Sequence, residues 1–234
     1  MHQTIPRILI IVPAYNEDAS LPGVIRDLRE SFPKGDILVV DDGSHDATAQ
    51  AAISAGVSVV QLPFNLGIGG AVQTGYRYAH RQGYDIALQF DGDGQHLASE
   101  IEGLLGPLFA GSADLVVGSR FLNRGGYRPG LMRRLGIVIF SRILSAIMGM
   151  PVTDTTSGFR AASREAIEFF SRMYPEDYPE VESLVLVHRA GMRVAEVAVA
   201  MRERTGGQSS ITPVRSIYYM VKVLLAVFID LLKR

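Results

Sequence analysis

Apolar and polar positions follow two alternating periods along the first half of the chain. Arg7-Ile-Leu-Ile-Ile-Val12 is an unbroken aliphatic run, the pattern of a strand buried on both faces. Leu21, Val24, Ile25 and Leu28 then recur at helical spacing within residues 21–31. The pair repeats. Ile37-Leu-Val-Val40 reads as a second strand, closed by Asp41-Asp-Gly-Ser44, and residues 47–55 as a helix that Ser44 or Asp46 can cap. A third strand is expected over 57–62. Asn65-Leu-Gly-Ile-Gly-Gly-Ala71 then opens a helix that runs to Arg81, and a fourth strand covers 85–90. Later segments are sparser: a helix over 100–110, a strand over 114–118 ending in Ser119-Arg120, helices over 163–170 and 179–190, and an added strand over 194–201. Residues 123–130 and 151–160 read as polar connections, and 202–210 as a basic, glycine-bearing loop.

Strand and helix in this rhythm imply an α/β fold with a parallel sheet and right-handed crossovers. Ligands of such sheets bind beyond the carboxyl ends of the strands. Tyr15, Asp41, Asp42, Asp91 and Asp93 all fall at that edge. The stretch Leu88-Gln-Phe-Asp-Gly-Asp-Gly-Gln95 is the sharpest of these signals. An apolar run stops at two carboxylates one glycine apart, and hard oxygen donors so placed suit Mg²⁺ or Mn²⁺. The same residues also make an ordinary polar turn. Gly67, Gly69 and Gly70 invite a dinucleotide-binding reading, but they follow the third strand. The first turn carries Pro13-Ala-Tyr-Asn-Glu17 instead, which is the wrong place for that fingerprint.

Composition narrows the class. The chain has 234 residues, 47% of them hydrophobic, enough for one sizeable core. A formal net charge of −1 argues against nucleic acid as a partner. The absence of cysteine excludes disulfides, thiolate nucleophiles and cysteine-ligated zinc. Residues 1–7 show no secretory pattern, so a reduced cytoplasmic setting is expected. Two stretches are unusually apolar, 135–150 and 217–232, interrupted by Arg142 and by Lys222 and Asp230. They suit core helices or helices lying in a membrane interface better than spanning helices.

Taken in order, Pro13-Ala-Tyr-Asn-Glu17, Asp41-Asp-Gly-Ser44, Asn65-Leu-Gly-Ile-Gly-Gly-Ala71, Asp91-Gly-Asp-Gly-Gln95, Gly118-Ser-Arg120 and Asp154-Thr-Thr-Ser-Gly-Phe-Arg160 resemble a family 2 glycosyltransferase. The nearest branch is that of the dolichyl- or polyprenyl-phosphate sugar synthases. The resemblance covers residues from about 8 to 210 and rests on the ordered set, since each motif alone is weak. It implies a GT-A, Rossmann-like, mainly parallel sheet flanked by helices over residues 1–210, followed by an amphipathic or apolar C-terminal helix over 211–234. It also implies an inverting, metal-dependent transfer of a sugar from a nucleotide-sugar to polyprenyl phosphate or a lipid-linked glycan.

The resemblance carries roles to individual residues. Pro13, Tyr15, Glu17, Asp41, Asp42, Asn65, Gly69 and Asp91 would hold the nucleotide-sugar. Asp91, Asp93 and Gln95 would hold Mg²⁺ or Mn²⁺, offsetting the charge of the leaving diphosphate. Arg120, Arg134, Arg160 and Arg204 would grip acceptor or donor phosphate, which a guanidinium fork suits. Asp93, Glu180 and Arg204 would be catalytic. Glu180 and Glu182 are two apart, so on a helix one of them faces the cleft; Glu180 is the expected base. His96 and His188 read as structural or surface histidines.

The apolar segment 135–150, with Arg133, Arg134 and Arg142, is expected to lie in the membrane interface, making the protein peripheral on the cytoplasmic face. Residues 217–232 would dock on the bilayer, on a second copy or on a separate membrane subunit. Two rivals stand beside this reading. One is a sugar-phosphate nucleotidyltransferase, which wants a glycine-rich basic loop after the first strand. The other is a non-catalytic membrane-associated subunit, against which Asp91, Asp93 and Arg204 speak.

Overall fold

The computed structural model of the chain describes residues 5–122, 131–176 and 179–202, and of 131–137 the backbone alone. The described residues form a seven-stranded sheet flanked by helices. The first half follows the repeating pattern of the sequence: β1 (Ile8–Ala14), α1 (Leu21–Ser31), β2 (Gly35–Asp41), α2 (Thr48–Ser54), β3 (Ser58–Gln61), α3 (Gly67–Gln82) and β4 (Ile86–Gln89). Then come a 3₁₀ turn (Ala98–Glu100), α4 (Ile101–Phe109), β5 (Leu115–Ser119), α5 (Leu131–Met148), β6 (Arg160–Ser163), α6 (Arg164–Arg172), α7 (Pro179–Arg189) and β7 (Val194–Ala198).

The strand order is β3-β2-β1-β4-β6-β5-β7. β1 lies parallel to β2 and β4, β2 to β3, and β5 to β7. β6 departs from this pattern. It runs antiparallel to β4 and β5 and separates them, with Leu88 opposite Ala161 and Val116 opposite Ala161 on the other side. The expected polar connection therefore ends in a central strand. Arg160-Ala-Ala-Ser163 carries no aliphatic run and so no strand signal, yet Ala161 and Ala162 are fully buried. Two boundaries also move. β1 continues through Pro13 and Ala14, and β7 stops at Ala198 rather than 201.

Each face of the sheet carries its own core. Leu9, Ile11, Leu38 and Val40 pack under α3, α5, α6 and α7, with Tyr76, Phe140, Leu144 and Phe170 at the centre. Ile8, Ile10, Val12 and Val39 pack against α1 and α4. Burial on both faces is what made β1 a continuous apolar run. Contact on the α3 side is close enough to require glycine: a Cβ on Gly75 would lie 2.3 Å from Cγ2 of Ile11.

Within α5, Phe140, Leu144 and Met148 point into the core, whereas Ile139, Arg142 and Ala146 are exposed. The apolar segment is thus an amphipathic helix with one face committed to the protein. No described helix is long and apolar enough to cross a membrane. The expected helix over 217–232 lies outside the described residues.

Candidate active site

The parallel strands end at one edge, and four loops meet there. The first two are stitched together by short polar contacts. Asn16 holds a left-handed backbone (φ 54°), a conformation that asparagine tolerates. Its side-chain oxygen accepts the N–H of His45 at 2.9 Å, and its own N–H donates to Ser44 Oγ at 3.0 Å. The N–H of Glu17 donates to Thr48 Oγ1 at 2.8 Å. Pro13 is buried at the end of β1, and Tyr15 stands 42% exposed beyond it, on the rim.

Asp41 and Asp42 are both buried and both close turns. Asp41 Oδ1 accepts the N–H of Ser44 at 3.0 Å. Asp42 Oδ1 accepts the N–H of Leu66 at 2.7 Å, holding the start of α3 against β2. Burial raises the Asp42 carboxyl, and the neighbouring Asp41 adds to that; the backbone N–H groups of Leu66 and Gly67 work against it. Asn65 accepts the N–H of Gly67 at 3.0 Å. Gly69 is a packing glycine: a Cβ there would lie 2.3 Å from the carbonyl oxygen of Pro175. Gly69 lets α3 approach the segment 175–176.

The turn after β4 sits in the middle. Asp91 Oδ1 is 3.2 Å from Nε2 of Gln89, and Oδ2 is 3.0 Å from Nε2 of His96. Burial would raise the Asp91 carboxyl, but the charge and hydrogen bond of His96, the Gln89 amide and the Arg120 charge outweigh it and hold the group below its usual range. Asp91 is therefore anionic, and about a third of its side chain, 33%, remains open to the cleft. Asp93 Oδ1 accepts the N–H of Gln95 at 3.0 Å across Gly94, whose φ is 76°. Ser20 ties this turn to the first loop: its hydroxyl is 2.6 Å from the Glu17 carboxylate and 2.9 Å from the Gly92 carbonyl. Beyond the turn, Gln95 and His96 pair with Met201 and Arg202, the Arg202 N–H donating to Gln95 O at 2.8 Å.

The described residues contain no cluster of three or more His, Asp or Glu side chains able to hold a metal. Their donor set is instead two carboxylates on one turn. Such a set suits Mg²⁺ or Mn²⁺ held by one or two carboxylates and completed by substrate phosphate and water. Asp91, anionic and part-exposed, and Asp93 fit that requirement.

The other wall holds cations. Arg120 forks onto Asp154, with Nε 2.6 Å from Oδ2 and Nη2 2.8 Å from Oδ1. Arg160 differs. It is only 2% exposed, and its guanidinium donates to Ser157 O at 2.8 Å, Ser183 Oγ at 2.6 Å and Glu180 O at 2.5 Å. It ties β6 to the first turn of α7. Burial raises the Glu180 carboxyl, the Arg160 charge opposes this, and Asp91 adds to the rise. Glu180 thus lies within electrostatic reach of Asp91, Arg160 and Arg120. The Arg134 side chain and the whole of Arg204 lie outside the described residues.

Four contributors escaped the sequence reading. His96 reads as structural in the sequence, yet its Nε2 lies at hydrogen-bond distance, 3.0 Å, from Asp91 Oδ2. It is 2% exposed, lies over Phe159 with ring centroids 4.9 Å apart, and its Nδ1 has no hydrogen-bond partner among the described residues. Asp154 and Gly158 sat inside a quoted motif without a role. Glu196 offered no signal at all. A Cβ on Gly158 would lie 2.7 Å from Asp91 Oδ2, so that glycine lets β6 approach the carboxylate.

A mostly parallel sheet with carboxylates at the strand ends, interrupted by one antiparallel strand, defines a GT-A glycosyltransferase fold. The chain belongs to glycosyl transferase family 2, whose family model matches residues 9–170. It is 33% identical over 216 residues to polyprenol monophosphomannose synthase from Mycolicibacterium smegmatis, covering 88% of this chain and 81% of that one. It is 33% identical over 215 residues to undecaprenyl-phosphate mannosyltransferase from Micrococcus luteus, covering 88% of each. Glucosyl-3-phosphoglycerate synthase from Mycobacterium tuberculosis, solved with Mn²⁺, UDP and phosphoglyceric acid, superimposes with a TM-score of 0.72 at 25% identity, over 95% of this chain and 78% of that one.

Proposed function

We propose that this family 2 glycosyltransferase moves a sugar from a nucleoside-diphosphate donor to polyprenyl phosphate or a lipid-linked glycan, with inversion and with Mg²⁺ or Mn²⁺ bound. The observation that carries it is the part-exposed Asp91 carboxylate in the turn after β4, at the same sheet edge as Arg120 after β5, with Glu180 in the first turn of α7. The relatives that act on polyprenol, undecaprenyl phosphate and dolichyl phosphate support the acceptor class. The Mn²⁺ and UDP of the mycobacterial structure support the donor and the metal.

In this reading Asp91 and Asp93, with Gln95 beside them, would hold a divalent cation, which would offset the charge of the leaving diphosphate. Pro13, Tyr15, Glu17, Asp41, Asp42, Asn65 and Gly69 shape the nucleotide wall. Asp41, Asp42 and Gly69 act by fixing the loops, since their polar atoms or approach surfaces face the protein. Arg120, with Arg134 and Arg204, meets phosphate. Arg160 supports the site from beneath through α7. A sugar hydroxyl acceptor would lose its proton to Glu180, a carboxyl that burial raises above its ordinary range and so makes a stronger base. A lipid phosphate oxygen is already anionic and needs no such transfer.

The outer face of α5, with Ile139 and Arg142 exposed, suits a membrane surface carrying anionic lipid. This makes the protein peripheral on the cytoplasmic face, with residues 1–210 as the transferase domain and 211–234 as a docking helix onto membrane, a membrane subunit or a second copy.

The test is donor binding and transfer with UDP-, GDP- and dTDP-sugars, with and without Mn²⁺, for the wild type and Asp93→Ala. One donor should bind in a metal-dependent way and yield free nucleoside diphosphate with polyprenyl phosphate present. Asp93→Ala should lose both. Normal transfer by Asp93→Ala would overturn the mechanism.

A further inference from the structure

Arg120 is held by a chain of contacts that ends on the far edge of the sheet. The guanidinium meets Asp154 side-on, Nε to Oδ2 at 2.6 Å and Nη2 to Oδ1 at 2.8 Å, and the backbone N–H of Arg120 reaches Oδ2 at 3.1 Å. Nη2 also donates to Thr156 Oγ1 at 2.7 Å. A side-on fork fixes the plane of the guanidinium as well as its position, and directs the Nη1 end away from Asp154. Arg120 directly follows Ser119, the last residue of β5, at the same edge of the sheet as the Asp91 turn that follows β4.

Asp154 is itself completely buried. Its turn is gripped by Glu196, in the middle of β7 and opposite Val117 of β5. The Glu196 carboxylate accepts the N–H of Thr153 at 2.8 Å, the hydroxyl of Thr153 at 2.7 Å and the N–H of Asp154 at 2.9 Å. Ser119, next to Arg120, is 2.6 Å from the same Thr153 hydroxyl. These contacts, made from an edge strand to two successive backbone N–H groups, set the turn from which Asp154 reaches Arg120.

We propose that Asp154, and behind it Glu196, are positioning residues that aim the Arg120 guanidinium at the phosphate-bearing part of the cleft, so that turnover depends on Glu196 although Glu196 touches no substrate. This rests on the transferase reading above and assigns residues that reading does not use. The geometry supplies the reason: a guanidinium locked in one plane loses less freedom on gripping phosphate than one free to rotate.

The variants are Glu196→Gln, Asp154→Asn and Arg120→Met, singly and in pairs. Asp154→Asn alters a fully buried charge, so a folding defect there is separated by Glu196→Gln, which acts at a half-buried position. Two readouts are taken. One is the Arg120 side-chain Nε–H resonance without substrate, which in the wild type should be protected from exchange. The other is steady-state transfer. Glu196→Gln should weaken that protection and lower kcat by about tenfold or more, with an unfolding midpoint close to wild type. In the Arg120→Met background it should have no further effect on kcat, the sign that both act through one group. A Glu196→Gln enzyme with wild-type kcat, or one whose loss is undiminished in the Arg120→Met background, would overturn the proposal. A wild type that shows the protected, Asp154-dependent resonance but transfers no sugar would count against the function proposed above and not against the positioning.

Discussion

The backbone of Gly158 lies against the carboxylate of Asp91. A side chain at 158 would place its Cβ 2.7 and 2.9 Å from the two Asp91 oxygens and 2.9 Å from Nε2 of Gln89, closer than carbon and oxygen pack. Residues 67 positions apart in the chain thus define one wall, because β6 threads antiparallel beside β4. The Asp91 carboxylate is confined by Gln89, His96 and Gly158 and opens only toward the cleft.

Gly158→Ala should therefore act on function before stability. The added methyl forces Asp91 to turn from its His96 partner. Overpacking of this kind costs about 1–3 kcal/mol. Metal-dependent nucleotide binding should weaken by about tenfold or more, as displaced reacting groups do. Calorimetric titration of nucleoside diphosphate with Mn²⁺ measures it. Gly103→Ala in α4, where a Cβ meets nothing within 4 Å, is the control and should bind normally.

Arg160→Lys should fail as a conservative change. The arginine serves Ser157 O, Ser183 Oγ and Glu180 O in three directions from a buried position. A lysine ammonium cannot reach all three, and unsatisfied buried acceptors then cost about 2–4 kcal/mol in total. Urea unfolding should show a lowered midpoint. Unchanged stability with weaker acceptor binding would instead return Arg160 to direct phosphate contact.

Glu180→Gln tests the raised carboxyl through its linkage to stability. Burial lifts the folded-state pKa above the ordinary 4.5. The wild type's advantage from a neutral Glu180 is complete below that value and is lost as pH rises through the folded-state pKa. The glutamine variant stays neutral throughout. Its unfolding midpoint should match wild type near pH 4 and exceed it near neutrality, while transfer to a hydroxyl acceptor is lost. Equal destabilisation at both pH values would contradict the raised Glu180 carboxyl.

Asp114→Asn should have the opposite pH signature. The side-chain hydrogen bonds from Arg193 hold the Asp114 carboxyl below its ordinary 3.8, joining the starts of β5 and β7. The stabilisation is present above that value and disappears as pH falls through the lowered pKa. Thermal unfolding should separate wild type from variant at neutral pH and merge them in strong acid. The gap should shrink with salt, because the Arg193 side chain is 57% exposed.

Local chemistry determined much of this protein. The aliphatic runs of β1, β2 and β4, the helical spacing of α1 and the polar turns that end the strands are short-range patterns, and their alternation suffices for a parallel α/β sheet. Asp91, at the end of β4, and Asp42, at the end of β2, were placed at the working edge by the same logic. The tertiary structure decided what short-range pattern does not encode. Arg120 and Arg160 both follow polar turns and look alike in sequence. Yet Arg160 is spent inside on α7, while Arg120 is held by Asp154 at the end of β5. The strand β6 is carried by two alanines, too short an apolar pair to mark a strand, and is fixed by its pairing with β4 and β5. His96 became the partner of Asp91, and Glu196 the anchor of the Asp154 turn, once long-range pairing fixed the register. A side chain's role depends on whether its field meets solvent, core or another charge, and that is set by strand order rather than by neighbours in sequence.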